Sequence, residues 1–117
     1  MLSVEYIPMQ YYDAIIIRFT GEDGSVHNIF VDGGDIHSRE FCYTDNLKKK
    51  LEFLFGEGES IDLWIITHID NDHIGGLYNF INDTEFFETQ HERLKEVWMN
   101  YGGKGDYEVQ RTGTIGY

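Results

Sequence analysis

From Leu2 to Ile7 apolar and polar side chains alternate, the pattern of a strand with one wet face. Asp13 to Phe19 contains Ala14-Ile15-Ile16-Ile17, a β-branched run that fits a more buried strand. Gly21-Glu22-Asp23-Gly24 is a turn by composition, so Asn28 to Asp32 becomes the return strand of a hairpin. It stops at Gly33-Gly34, where the backbone is able to turn sharply. The period then changes. Thr44 predicts a helix N-cap, with Asp45 favourable in the first turn. Leu47, Leu51 and Leu54 make one apolar stripe, and Gly56 marks the stop. Ile61 to Thr67 reads as a buried strand. A short helix from about Ile74 to Asn82 packs Ile74, Leu77, Tyr78 and Ile81. Glu85 to Leu94 is an acidic helix, and Glu96-Val97-Trp98-Met99-Asn100 is a further strand. After Gly102-Gly103 no pattern stands out. Strands alternating with helices after an initial hairpin imply an α+β fold, a mixed β-sheet covered by helices. With no repeat and no proline- or serine-rich linker, residues 1–117 read as one unit without an internal boundary.

Composition narrows the function. With 41% hydrophobic residues the chain has material for a packed core. The formal net charge of −12 argues against non-specific nucleic-acid binding, which needs a basic face. Lys48-Lys49-Lys50 is the one basic run and reads as a solvated helix face. Cys42 is the single cysteine, so no intrachain disulfide is possible, which fits a reducing compartment. Met1 to Glu5 lacks the basic start and apolar run of a signal peptide. No stretch approaches the roughly 20 apolar residues that span a bilayer. A cytoplasmic protein without membrane contact is the expectation.

The chemistry is concentrated in Thr67-His68-Ile69-Asp70-Asn71-Asp72-His73-Ile74-Gly75-Gly76. Four potential ligands, His68, Asp70, Asp72 and His73, stand between a buried strand and a glycine pair that opens a helix. In an extended segment, side chains at i and i+2 point the same way, so His68 and Asp70 are able to share one metal ion. Asp72 and His73 then swing toward a second position. Imidazole and carboxylate both suit zinc, manganese and iron. A turn rich in Asp and Asn would explain part of the composition, but not four ligands in this setting. A calcium loop starting at Asp70 fails at Ile74 and at Ile81, where its bidentate Glu belongs.

This block resembles the metallo-β-lactamase superfamily, whose pattern is His-x-His-x-Asp-His-x-Gly-Gly after a hydrophobic strand ending in Thr or Ser. Thr67, His68, Asp72, His73, Gly75 and Gly76 match, and Asp70 replaces a His. The His-x-Asp-x-Asp-His form is similar to the competence-type branch, the hydrolase domains attached to DNA-uptake channel proteins. Phe30-Val31-Asp32-Gly33-Gly34 fits the family's upstream strand ending in Asp-x-Gly. Gln10-Tyr11-Tyr12-Asp13-Ala14 looks like a variant of a Gly-Gln-Gly-Asp-Ala segment of the same branch. The resemblance implies that His68 and Asp70 bind a first metal, and Asp72 and His73 a second. Asp72 is the catalytic carboxylate, and Asp32 orients a ligand from behind it; Asp13 is a weaker candidate for the same work. It further implies hydrolysis by a metal-bound hydroxide, with zinc favoured. Manganese becomes more competitive because Asp70 adds charge and hardness.

The resemblance also implies an αββα sandwich of about 200 residues or more, two similar halves face to face. This chain matches the N-terminal half. The second half supplies another metal-binding His, a bridging Asp and a final His. His91 stands too close to His73 for the next ligand and reads as exposed, and no spacing supports Asp106 as the bridge. His27 and His37 read as structural or solvent-facing. Three readings follow: a piece of a longer hydrolase, a subunit completed by another chain or by its own copy, or a degenerate module that binds a partner and hydrolyses nothing. The competence-type form favours a phosphodiester or other small substrate. Strands Ala14 to Ile17, Ile29 to Val31 and Leu63 to Ile66 need cover on both faces, which predicts self-association or a second chain on the side the helices leave open.

Overall fold

The alternating β-branched and aromatic runs pair into a five-stranded mixed sheet of order β1-β2-β3-β4-β5. This is a computed structural model, and it describes residues 1–9, 13–68 and 71–99, with only the backbone of Asn71 and Asp72. β1 (Leu2–Ile7), β2 (Ala14–Thr20) and β3 (Val26–Val31) form an antiparallel meander, while β4 (Leu63–Ile66) and β5 (Val97–Met99) extend it in parallel. The β2–β3 turn closes through Gly24 N donating to Gly21 O (3.0 Å), with Gly24 at φ 85. The final strand ends at Met99, and the Asn100 expected in it lies outside the described residues.

Each parallel crossover carries helix. Between β3 and β4 a π-helical stretch, Arg39–Leu47, runs straight into α1 (Lys48–Gly56). Between β4 and β5 lie α2 (Asn71–Ile81), α3 (Thr84–Gln90) and one 3₁₀ turn, His91–Arg93. Thr44 is therefore not an N-cap. The wider π turn brings Cys42 and Tyr43 into the core alongside Leu47, and helical backbone begins five residues before Thr44 at Arg39. The Leu47, Leu51, Leu54 stripe is buried as the spacing requires. Helix α2 begins at Asn71, earlier than the apolar pattern indicates, so Asp72 and His73 occupy its first turn. That phase buries Leu77 and Phe80 and turns Tyr78 outward. His91 is half-buried against Phe87, ring centroids 5.6 Å apart, rather than exposed.

Helices and sheet share one core. Ala14, Ile16, Phe30, Trp64 and Ile66 meet Leu47, Leu51, Leu54, Leu77, Phe80 and Phe87 in a single buried cluster. The sheet thus has one helix-covered face. Its alternate residues form rows on the other face: Val4 pairs with Ile17, Ile17 with Ile29 and Ile29 with Leu63. In β1 the apolar positions are the solvent-facing ones. Leu2, Val4 and Tyr6 are exposed, while Glu5 on the helix side meets Lys50 Nζ at 2.8 Å. The alternation identified the strand, and its apolar side is the side that no described helix covers.

Two polar clusters lock the helices down. Arg18 grips Glu59 through both guanidinium nitrogens (3.2 and 2.6 Å), and the fully buried Asn28 donates to Glu59 and to Ser60 O. The Arg18 hydrogen bond holds the Glu59 carboxyl below its usual range. Asp83 accepts from the Tyr43 hydroxyl (2.9 Å) and Lys48 Nζ (2.7 Å), joining the π turn to the start of α3. Burial, reinforced by that carboxylate, pushes the Tyr43 hydroxyl far up. Among the described residues no helix is long and apolar enough to cross a membrane.

The start of α2 packs backbone against backbone. Gly75 N donates to Gly34 O at 2.9 Å, and a Cβ on Gly75 would lie 2.5 Å from that oxygen. Neither side of such a contact has a flexible side chain to yield. Gly75→Ala should therefore cost about 3 kcal/mol, the upper part of the overpacking range. Gly56→Ala, with open space around the new methyl, should be neutral or slightly stabilising. Urea unfolding of both variants checks the contrast.

Candidate metal centre

The carboxyl ends of the parallel strands β3 and β4 lie side by side, the usual location for a site in such a sheet. The register pairs Val31 with Ile65, so Asp32 follows β3 directly beside the end of β4. Asp32 has φ 60, a left-handed conformation that an Asp tolerates better than most residues. Its backbone is held on both sides: its N–H donates to Ile65 O (2.8 Å), and its carbonyl accepts from Trp64 Nε1 (2.9 Å). That strained turn delivers a buried carboxylate to the mouth of the motif.

Three donors converge on it. Thr67 N donates to Asp32 Oδ1 (2.8 Å), Thr67 Oγ1 to Oδ2 (2.7 Å), and His73 Nδ1 to the same Oδ2 (3.1 Å). Thr67 Oγ1 also meets His68 Nδ1 at 3.1 Å. A hydroxyl has one hydrogen, and here the carboxylate takes it, so Thr67 Oγ1 accepts from His68 Nδ1. Both imidazoles then carry their proton on Nδ1 and, when neutral, their lone pair on Nε2. One buried carboxylate sets the tautomer of both, directly for His73 and through Thr67 for His68. The two rings lie 4.9 Å apart, centroid to centroid.

This donor set fits a divalent metal. Paired imidazoles backed by a carboxylate at the far nitrogen are the usual support for zinc-type ligands. Of the predicted ligands, the structure brings together His68 and His73, and Asp32 is hydrogen-bonded to His73 and to Thr67. Asp70 lies outside the described residues, and so do Gln10 to Tyr12 and Asp106. Asp72 is placed by its backbone in the first turn of α2. Among the described residues no three His, Cys, Asp or Glu side chains gather closely enough to hold a metal ion. Asp13 is exposed and accepts from Met9 N at 3.4 Å. His27 is structural, between Ser25 Oγ (2.9 Å) and Asp62 Oδ1 (3.2 Å). His37 is exposed on the loop after β3.

Thr67 is the member of this hydrogen-bonded cluster to which the sequence assigns no role. It was visible as the strand's last residue. Its work depends on the parallel register of β3 with β4, which pattern alone does not supply.

The family model of the metallo-beta-lactamase superfamily matches residues 33–113. No curated protein and no solved structure matches the chain.

Proposed function

The chain belongs to the metallo-β-lactamase superfamily, and we propose that it is a metal-dependent hydrolase centred on His68, Asp70, Asp72 and His73. The observation that carries this reading is the common anchor. Asp32 and Thr67 leave His68 and His73 with their lone pairs on Nε2, the form in which imidazole binds a metal. With the motif's Asp70 and Asp72, these two histidines would supply the ligands for two cations. Bound there, a divalent cation lowers the pKa of water and polarises the substrate oxygen. The chain's own residues do the rest. Asp32 fixes the imidazoles, and Asp72, in the first turn of α2, orients the attacking water. Gly75 and Gly76 let that turn pack directly against the backbone of Gly33 and Gly34.

Finer assignments rest on the motif. Its His-x-Asp-x-Asp-His form supports the competence-type branch and, with it, a phosphodiester of small size, since a net charge of −12 disfavours long nucleic acid. Zinc is the preferred ion, with manganese the competitor that Asp70 encourages. A single buried thiol, Cys42, supports a cytoplasmic setting.

Calorimetric titration of the chelator-treated chain with zinc and with manganese tests the assignment. His68→Ala and His73→Ala should each weaken binding about 100-fold, and Thr67→Val about tenfold, while Thr67→Ser keeps it. Turnover of bis(p-nitrophenyl) phosphate by the loaded chain should disappear in Asp72→Ala. Equal metal affinity in the parent and both histidine variants would sink the reading.

A further inference from the structure

Asp32 does not hold the two imidazoles alike. His73 Nδ1 meets the carboxylate itself at 3.1 Å, and the two side chains are largely buried, 14% and 12% exposed. The backbone of His73 lies in the first turn of α2, which the bond from Gly75 N to Gly34 O pins to the loop after β3. His68 stands two residues beyond β4 and is exposed. Its Nδ1 meets a neutral hydroxyl, Thr67 Oγ1, at 3.1 Å. The carboxylate reaches His68 only at one remove, because that hydroxyl donates to Asp32 Oδ2. The two rings are nevertheless neighbours, their centroids 4.9 Å apart.

We propose that the centre loads in two steps, the position at His73 before the position at His68, and that Thr67 is the positioning residue that sets the second step. The inference rests on the metal-dependent reading above. A carboxylate behind an imidazole makes it a stronger ligand than a hydroxyl does, and such partners are worth about 10- to 100-fold in metal affinity. His73 is already held by its burial and its helix, whereas the exposed side chain of His68 has rotamer freedom to lose. One effect opposes this order. The amino end of α2 is positive and disfavours a cation beside His73, by about fivefold at an ordinary helix end. Asp72 in the same turn counters that charge, so the carboxylate decides the order. Cations held by rings this close also repel each other, and filling one position weakens the other. At limiting metal the chain should therefore hold one cation and gain the second only in excess, so that metal supply regulates the completed pair.

Calorimetry and histidine-nitrogen magnetic resonance on the chelator-treated chain, titrated with zinc, test the order. His68→Ala and His73→Ala assign the two rings among the five histidines. The His73 signals should move over the first step, and the His68 signals over a second step at least about tenfold weaker. Thr67→Val keeps the N–H that Asp32 Oδ1 accepts, so it should melt close to the parent. It should weaken the His68 step about tenfold and leave the His73 step unchanged, and Thr67→Ser should restore the parent's behaviour. A merely structural role for Thr67 would move both steps together, and that result overturns the proposal. A single step in which both rings respond, or a response of His68 first, overturns it as well. Zinc that perturbs neither ring would remove the metal assignment itself, and the loading order with it.

Discussion

Asp32→Ala should weaken zinc or manganese binding about 100-fold or more and cost the metal-free chain about 3 kcal/mol. Both effects follow from one carboxylate. Without it Thr67 N loses its acceptor, Thr67 Oγ1 is free to rotate, and neither imidazole has a fixed tautomer. Alanine also tolerates φ 60 less well than aspartate does. Asp32→Asn separates the two effects. Asparagine accepts the left-handed conformation, and its Oδ1 still takes the Thr67 N–H. Its Nδ2, however, places a donor where Oδ2 received His73 and Thr67. His73 must then move its proton to Nε2, and Thr67 is freed to donate to His68 Nδ1. Asp32→Asn should therefore melt within a few degrees of the parent while losing most of its metal affinity. Calorimetry beside thermal unfolding reads both quantities. Parental metal affinity in Asp32→Asn would mean that Asp32 serves the fold and not the site.

Local chemistry explains which parts of this molecule were legible beforehand. The β-branched run Ala14 to Ile17 and the Leu47, Leu51, Leu54 stripe each carry a period of their own, and both elements stand where that period puts them. The mixed sheet followed from the order of such elements. The start of α2 did not. Apolar periodicity begins at Ile74, but the polar residues Asn71 to His73 already belong to the first turn, because the Gly75–Gly34 backbone contact fixes the helix before its apolar face begins. The π turn was invisible for a similar reason. Cys42, Tyr43 and Leu47 fit neither helical nor strand spacing until a wider turn is allowed.

The site divides along the same line. His68 and His73 stood out as candidates because their type and spacing within one loop suit metal ligands. Asp32 was legible through the block that ends its strand. The link between them was not, since Thr67 meets Asp32 only through the pairing of Val31 with Ile65 across a long crossover. Contacts made by register between distant strands leave no periodic trace. β1 shows the converse. Its alternation was plain, but the side on which Leu2, Val4 and Tyr6 fall depends on where the helices pack, and they pack on the side of Glu5.

Trp64 joins that packing to the site, and its removal should have the largest effect on stability. It is a fully buried side chain on β4, tilted against Phe30 (centroids 5.1 Å apart) and stacked on Phe80 (6.5 Å). Trp64→Ala empties the centre of a small core and should cost about 4–5 kcal/mol. That approaches the whole stability of a domain this size, so the variant should be largely unfolded at room temperature. Trp64→Phe keeps a ring between Phe30 and Phe80 but removes the indole N–H that holds the Asp32 carbonyl at 2.9 Å. Its cost should be about 1–2 kcal/mol, the price of one buried acceptor left unpaired beside a small cavity. Because that carbonyl steadies the strained turn at Asp32, Trp64→Phe should also weaken metal binding, by less than tenfold, at a position that touches no ligand. Urea unfolding followed by far-ultraviolet circular dichroism, together with calorimetry on the phenylalanine variant, measures both. Trp64→Ala remaining folded with a loss below about 2 kcal/mol would show that this ring is not the keystone between core and site.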